Sequence, residues 1–298
     1  MQDTSWSDYQ AFLAVARAGQ LARAGRLMGV DATTIGRRLR RLEGALGATL
    51  FEHTREGQVL THAGEALLAA VEQMAQAAGQ IESTSSGTGL TGSVRISVSE
   101  GLGSWVLARH LGDFAAAHDG LTIDLVASSG FLSPSRREAD IAVLLSRPKA
   151  GPLMARKLSD YALRLYASPA YLAAHAPITR AADLRAGHRL TGYIPDLLYA
   201  PELNYLSEID QGLSAALRSS SILAQHRLLA AGAGVGVLPC FIGDADPALV
   251  RVLPEKTITR SFWLVTHQDT AKLRRIRAAT DWLADVARRE KAALVPPA

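Results

Sequence analysis

The chain has 298 residues, 48% hydrophobic and 20% charged, with a formal net charge of +4. This describes a globular protein with room for two or three domains and excludes a disordered or fibrous one. A single cysteine, Cys240, excludes an intrachain disulfide framework, and no apolar run approaches the roughly 18 residues of a membrane span. The start lacks a basic region followed by an apolar one, so the expected location is the cytoplasm with no membrane partner. Residues 1–90 carry eight Arg and no Lys against nine Asp plus Glu, so a nucleic-acid footprint there must be local.

Ser7 and Gln10 form an S-x-x-Q capping box, which predicts a first helix with Tyr9, Phe12, Leu13 and Ala16 inward and a stop at Gly19. The second helix carries Leu21, Ala24, Leu27 and Met28 as its buried set and ends at Gly29. Asp31 is placed to cap the third, where Ile35, Leu39, Leu42 and Leu46 form one stripe. At about 100° per residue, Thr33, Arg37 and Arg40 fall on the opposite face, with Thr34 and Arg41 on its flank. A packed stripe backed by Thr and Arg is what a helix needs to enter a DNA major groove, so Thr33, Thr34, Arg37, Arg40 and Arg41 are the expected DNA contacts. A solvated basic face is the bland alternative, and the neighbouring helix and hairpin argue against it.

Two short strand-like runs around Arg55-Glu56-Gly57 then read as a wing with Arg55 at its tip, where a minor-groove or phosphate contact is expected. Thr61 caps a helix reaching about Glu82, in which Leu67, Ala70, Met74, Ala77 and Ile81 step as an a/d seam for pairing two chains. Residues 83–89 are a Ser/Gly/Thr linker. The expected division is a winged helix-turn-helix domain at 1–60, a dimerisation helix and hinge at 61–91, and an α/β domain at 92–298.

Past Gly92, strands are expected at 94–98, 122–126, 140–145, 161–167, 235–238 and 262–266. Helices are expected around 106–114, 169–174, 222–231 and 270–291. The alternation argues for an α/β fold with mostly parallel sheets. No catalytic set stands out: the eight histidines show no H-x-x-x-H pair, and there is no P-loop or G-x-S-x-G elbow. Neither a metal nor a cofactor is expected. Polar residues do recur at strand ends: Ser99, Glu100 and Gly101, then Ser129, Arg147 and Ser168. Ligands collect outside the carboxyl ends of strands in open α/β sheets, so these residues are candidate effector contacts.

The order of parts resembles a LysR-type transcriptional regulator. The N-terminal resemblance is carried by Phe12, Ala16, Gly19, Ala24, Leu27, Gly29-Val30, Ile35, Arg37, Leu42-Glu43, Leu46-Gly47, Leu50-Phe51, Leu60-Thr61 and Ala63-Gly64. The C-terminal one rests on the Gly92-Ser-Val-Arg-Ile opening, Ala139-Asp-Ile-Ala, Ser168-Pro-Ala-Tyr and Gly232-Ala-Gly-Val-Gly-Val-Leu-Pro. Ala32 departs from the family, which often has a polar residue there, and leaves base reading to Thr33, Thr34, Arg37 and Arg40.

The resemblance implies a winged helix-turn-helix followed by a periplasmic-binding-protein-like pair of lobes, lobe I at about 92–162 and 266–298 and lobe II at about 163–265. Tyr193 and Asn204 would then join Ser168 on the lobe II wall of the crevice. It also implies a double-stranded DNA operator and a tetramer built as a dimer of dimers, beyond the dimer that the seam predicts. Arg147 and Glu100, of opposite charge at the crevice, point to a small polar metabolite of either charge as effector. The competing reading is a two-lobed α/β enzyme with an accessory winged helix.

Overall fold

The computed structural model describes residues 4–54, 57–85, 89–135 and 137–297, excepting the side chains of 73, 76, 77 and 79–85. It divides into two compact units, 1–88 and 89–298.

The first unit packs α1 (Trp6–Ala18), α2 (Leu21–Met28) and α3 (Ala32–Leu46) around Phe12, Val15, Ala24, Ile35 and Leu42. Helix α1 begins two residues before the S-x-x-Q box predicts. Ser5 is its N-cap, and the buried Asp8 carboxylate accepts from Ser5 N at 3.0 Å and Ser5 Oγ at 3.1 Å. Leu27 and Leu46 depart from their expected burial, at 69% and 43% exposed. The reason for Leu27 lies at Gly25, where a Cβ would stand 2.7 Å from the Val30 carbonyl oxygen. The α2–α3 turn lies directly on this glycine, so α2 buries Ala24 and Gly25 and turns Leu27 outward. The wing is present as β1 (Phe51–His53) paired antiparallel with β2 (Gln58–Leu60), and Gln58 N donates to Gly19 O at 2.7 Å.

Helix α4 (His62–Ser85) starts where Thr61 Oγ1 accepts from Gly64 N at 3.1 Å and donates to Thr49 O at 2.7 Å. Its inner face is Gly64, Leu67, Leu68, Val71 and Ala75, packed on the three-helix core. Leu67 therefore belongs largely to its own unit's core, a correction to its place in the seam. Ala70 and Met74 are exposed, and the side chains of Ala77 and Ile81 lie outside the described residues.

The second unit holds one eight-stranded sheet. Its lobe I part uses β3 (Gly92–Ser99), β4 (Leu121–Ser128) and β5 (Ile141–Leu144), with a π-helical turn at Leu102–Leu107 continuing into α5 (Ala108–Ala116). Two long strands follow the same path between the lobes, β6 (Leu153–Ala167) outward and, later, β10 (Val250–His267) back. Between them lie α6 (Pro169–Ala173), β7 (Leu190–Gly192), α7 (Leu206–Ile209), β8 (Leu217–Arg218), α8 (Ile222–Ala230), β9 (Val235–Pro239) and α9 (Cys240–Gly243). After β10 come α10 (Arg274–Arg289) and α11 (Lys291–Leu294). The strand order is β4-β3-β5-β10-β6-β9-β7-β8.

The sheet is mixed, not mostly parallel as the alternation predicts: β10 runs antiparallel to β5 and β6, and β6 antiparallel to β9. The register slips between Phe262 and Trp263, where β10 stops pairing only with β6 and begins pairing with β5 as well. Asp160 fastens this crossing, taking the Lys157 Nζ at 2.8 Å and the Ser261 hydroxyl at 2.6 Å. Helix α10 packs on lobe I, with Trp282 stacked on Phe114 at 5.0 Å and Arg275 donating to Ser93 O at 3.1 Å. It starts at Arg274, four residues later than the pattern at 270 predicts.

Candidate DNA-reading face and effector crevice

Helix α3 buries Ile35, Leu39 and Leu42 and turns Thr33, Arg37 and Arg40 to solvent, as its periodicity requires. Asp31 caps it, accepting from Thr34 N at 2.8 Å and from the Thr34 and Thr33 hydroxyls. These bonds, the Thr33 hydroxyl first, hold the Asp31 carboxyl far below the usual carboxylate range. Both threonine hydroxyls are thereby turned toward Asp31, leaving lone pairs to accept from a base or water. Arg37 and Arg40 have no ion-pair partner among the described residues.

Arg41 is placed differently from the DNA-contacting role expected of it. Its guanidinium grips the fully buried Asp8 carboxylate, with Nε at 2.9 Å and Nη2 on the second oxygen. Arg41 thus fixes α3 against α1, and its fork is occupied within the fold. Arg55, expected at the wing tip, lies outside the described residues.

In the second unit, the carboxyl ends of β3, β4 and β5 face the crossing from lobe I, and those of β7, β8 and β9 face it from lobe II. Ser99 is buried there, beside Gly101, Leu145, Tyr161 and Tyr193. Ser129 is exposed just beyond the end of β4. Arg147 is also exposed, with its guanidinium carbon 5.6 Å from the centre of the Trp263 ring. Asn204 is exposed on a recess of lobe II that Tyr193 also lines.

Three expected contacts have other duties. Glu100 is not free for a ligand: it accepts from Ile222 N and from Ser221 Oγ, each at 2.9 Å, and so closes the amino end of α8 from across the crevice. Gly101 is a packing point, where a Cβ would stand 3.1 Å from Ile242 and 3.3 Å from Ile222. Ser168 caps α6, accepting from Tyr171 N at 3.2 Å. It stands at the wrong end of lobe II, because β6 runs antiparallel to β9 and carries its carboxyl end away from the crossing.

Aromatic side chains fill much of the crevice. Tyr161 stacks on Phe262 at 4.1 Å, and Phe131 of lobe I meets Tyr199 of lobe II edge-on at 5.2 Å. Trp105 of the π-helical turn meets His226 of α8 at 5.0 Å. Burial pushes the Tyr161 and Tyr193 hydroxyls well above their ordinary range and Tyr199 up to about 12, so all three stay neutral at physiological pH. Strand-end reasoning missed this wall because it sought polar residues. The six-residue spacing of Tyr193, Tyr199 and Tyr205 was the signal available for it.

Residues 6–65 match the family described as bacterial regulatory helix-turn-helix protein, lysR family, and residues 87–288 match the LysR substrate binding domain. The Mau operon transcriptional activator of Paracoccus denitrificans is 29% identical over 292 residues, covering 95% of this chain and 96% of that one. The HTH-type transcriptional regulator CrgA of Neisseria meningitidis serogroup C is 28% identical over 294 residues, 95% of this chain and 97% of that one. The solved structure of CrgA, a LysR-type transcriptional regulator from Neisseria meningitidis, superposes with a TM-score of 0.58 at 25% identity, over 95% of this chain and 99% of that one. A full-length OxyR variant from Pseudomonas aeruginosa gives 0.68 at 17% identity, over 96% of this chain and 98% of that one, which shows the shared fold. These sequence relatives are named as regulators, which decides against the two-lobed enzyme. With a helix-turn-helix ahead of a two-lobed α/β unit and both family matches in that order, the chain belongs to the LysR family of transcriptional regulators, which bind DNA and small-molecule effectors and form oligomers.

Proposed function

We propose that this regulator reads a pseudo-palindromic operator with Thr33, Thr34, Arg37 and Arg40 of α3, helped by Arg55 of the wing. Two chains pair through the exposed face of α4 that holds Ala70 and Met74, with Ala77 and Ile81 continuing the seam. A small polar metabolite enters the crevice at Ser99, Tyr193 and Asn204, with Ser129 and Arg147 at its rim. Pairs of dimers make the tetramer, and the protein works in the cytoplasm. Among the described residues, no helix is long and apolar enough to cross a membrane.

The observation that carries this reading is the division of α3 into a face that buries Ile35, Leu39 and Leu42 and an exposed one whose Arg37 and Arg40 have no ion-pair partner among the described residues. A metabolite alters operator binding only through states that it binds unequally, and the bonds from Glu100 to α8 are a link between the lobes that such binding can make or break. The test is footprinting of the purified protein on the DNA beside its own coding region, with and without a metabolite panel. Protection of two half-sites about one helical turn apart, or a multiple of it, is expected. Binding with no sequence preference would overturn the assignment of α3 as the reading helix.

A further inference from the structure

Lobe II holds a second cavity behind the crevice wall, which shares Tyr193 and Asn204 with the reading above and is otherwise unused by it. It has a volume of about 230 Å³ and sits over the carboxyl ends of β7 and β8, beneath the loop that follows β7. That is room for about eight waters at their liquid volume of roughly 30 Å³ each. Tyr193, Leu203 and Tyr205 line both spaces and form the wall between them.

The chemistry of the lining is lopsided. Leu198, Leu206, Leu213 and Val237 make an apolar surface, and the charged member is one cation, Arg218, with no carboxylate beside it. Arg218 spends its Nε on the Ala215 carbonyl at 2.9 Å, and no partner holds its terminal nitrogens among the described residues. The bond to Ala215 orients the guanidinium fork and leaves its outer edge for a planar anion. A second polar group is unfinished: Thr191 is 1% exposed, lines this cavity, and its buried hydroxyl has no hydrogen-bond partner. Leaving a buried hydroxyl unpaired is unfavourable, so an occupant or an ordered water completes the site.

We propose that this cavity is a ligand site of its own, taking a small monocarboxylate with a branched or cyclic apolar body, its carboxylate on Arg218 and its body among the leucines. The apolar body follows from the lining, and the negative charge from a cation with no counter-ion among the described residues. The size follows from the volume. A charged hydrogen bond in such a place discriminates strongly against an isostere lacking the charge.

The experiment is calorimetry on the full chain without DNA, using 4-methylpentanoate as the probe and 4-methylpentanamide and 4-methylpentylamine as its neutral and cationic isosteres. The acid should bind about tenfold or more tightly than either isostere. Arg218→Gln, at an exposed position, should remove that preference. Ser214→Trp, at the exposed rim, should block the acid while leaving the melting transition unchanged. Equal binding of all three probes, no binding of the acid, or unaltered binding by both variants would overturn the proposal. Loss of acid binding in Ser99→Ala with none in Arg218→Gln would place the ligand in the crevice, overturning this site while leaving the proposed regulation standing. Binding of the acid as expected, with no operator recognition by the same preparation, would do the reverse.

Discussion

The Glu100 carboxylate at the end of β3 accepts the backbone N–H of Ile222, the first residue of α8, at 2.9 Å across the crevice between the lobes. Ser221 supplies a second bond to the same carboxylate and caps α8 itself by accepting from Ala224 N. Lobe I therefore reaches into lobe II with a negative charge placed at a helix amino end, where free N–H groups favour it. Glu100→Ala should lower stability by about 1 kcal/mol, the usual loss for a helix cap. Hydrogen exchange at the first turn of α8 should quicken in the variant. Unchanged exchange there would mean that the bond does not hold the lobes together in solution.

Asp8 and Arg41 give a pH dependence whose sign follows from the geometry. Burial pushes the Asp8 carboxyl up, but the Arg41 hydrogen bonds, the two from Ser5 and the Arg41 charge together hold it below the usual 3.8. A depressed carboxylate contributes stability that is present above its unfolded value and is lost as pH falls through its folded value. Asp8→Asn should cost about 1–3 kcal/mol at neutral pH, because Arg41 then loses its charged acceptor. Urea unfolding of both proteins across pH should show the difference shrinking below about pH 4. A difference that stays constant to about pH 2 would assign the loss to packing.

Gly25 provides a test against local propensity. Alanine favours an isolated helix over glycine by about 1 kcal/mol. In this fold its Cβ would stand 2.7 Å from the Val30 carbonyl oxygen, a backbone atom in the turn that aims α3. Gly25→Ala should therefore destabilise by about 1–3 kcal/mol, the range for overpacking. Thermal unfolding reads the sign directly, and a stabilised variant would show that the turn yields.

Arg37→Ala should weaken specific operator binding by about 1–3 kcal/mol and relax preference at one base position. A loss that is equal on all sequences, with a salt slope lower by about one unit, would make Arg37 a phosphate contact. Arg41→Ala should act through melting temperature, since its fork is on Asp8.

Met74→Asp places a charge on the exposed face of α4 without entering the core that Val71 and Leu68 join. The isolated chain should keep its melting transition, while sedimentation shifts toward the monomer and operator affinity falls with it. A variant that still sediments as the wild type would move the pairing surface elsewhere.

The residues themselves determined the parts whose information is local. The stripe of Ile35, Leu39 and Leu42, the Asp31 cap and the left-handed Gly29 stop lie within one short stretch, and a helix of that register is their direct consequence. The wing, β3 and α8 were legible for the same reason. Tertiary structure decided what depends on partners far along the chain. The direction of β6 is set by pairing with β9 and β10, which is why Ser168 sits at the far end of lobe II instead of in the crevice. Glu100 finds its partner 122 residues away and Arg41 finds Asp8 at a separation of 33, so two charges that read as ligand and DNA contacts are spent inside the fold. Periodicity states which face of an element is buried, but not which element covers it, and the spare hydrogen-bonding capacity of a side chain is known only once that neighbour is in place.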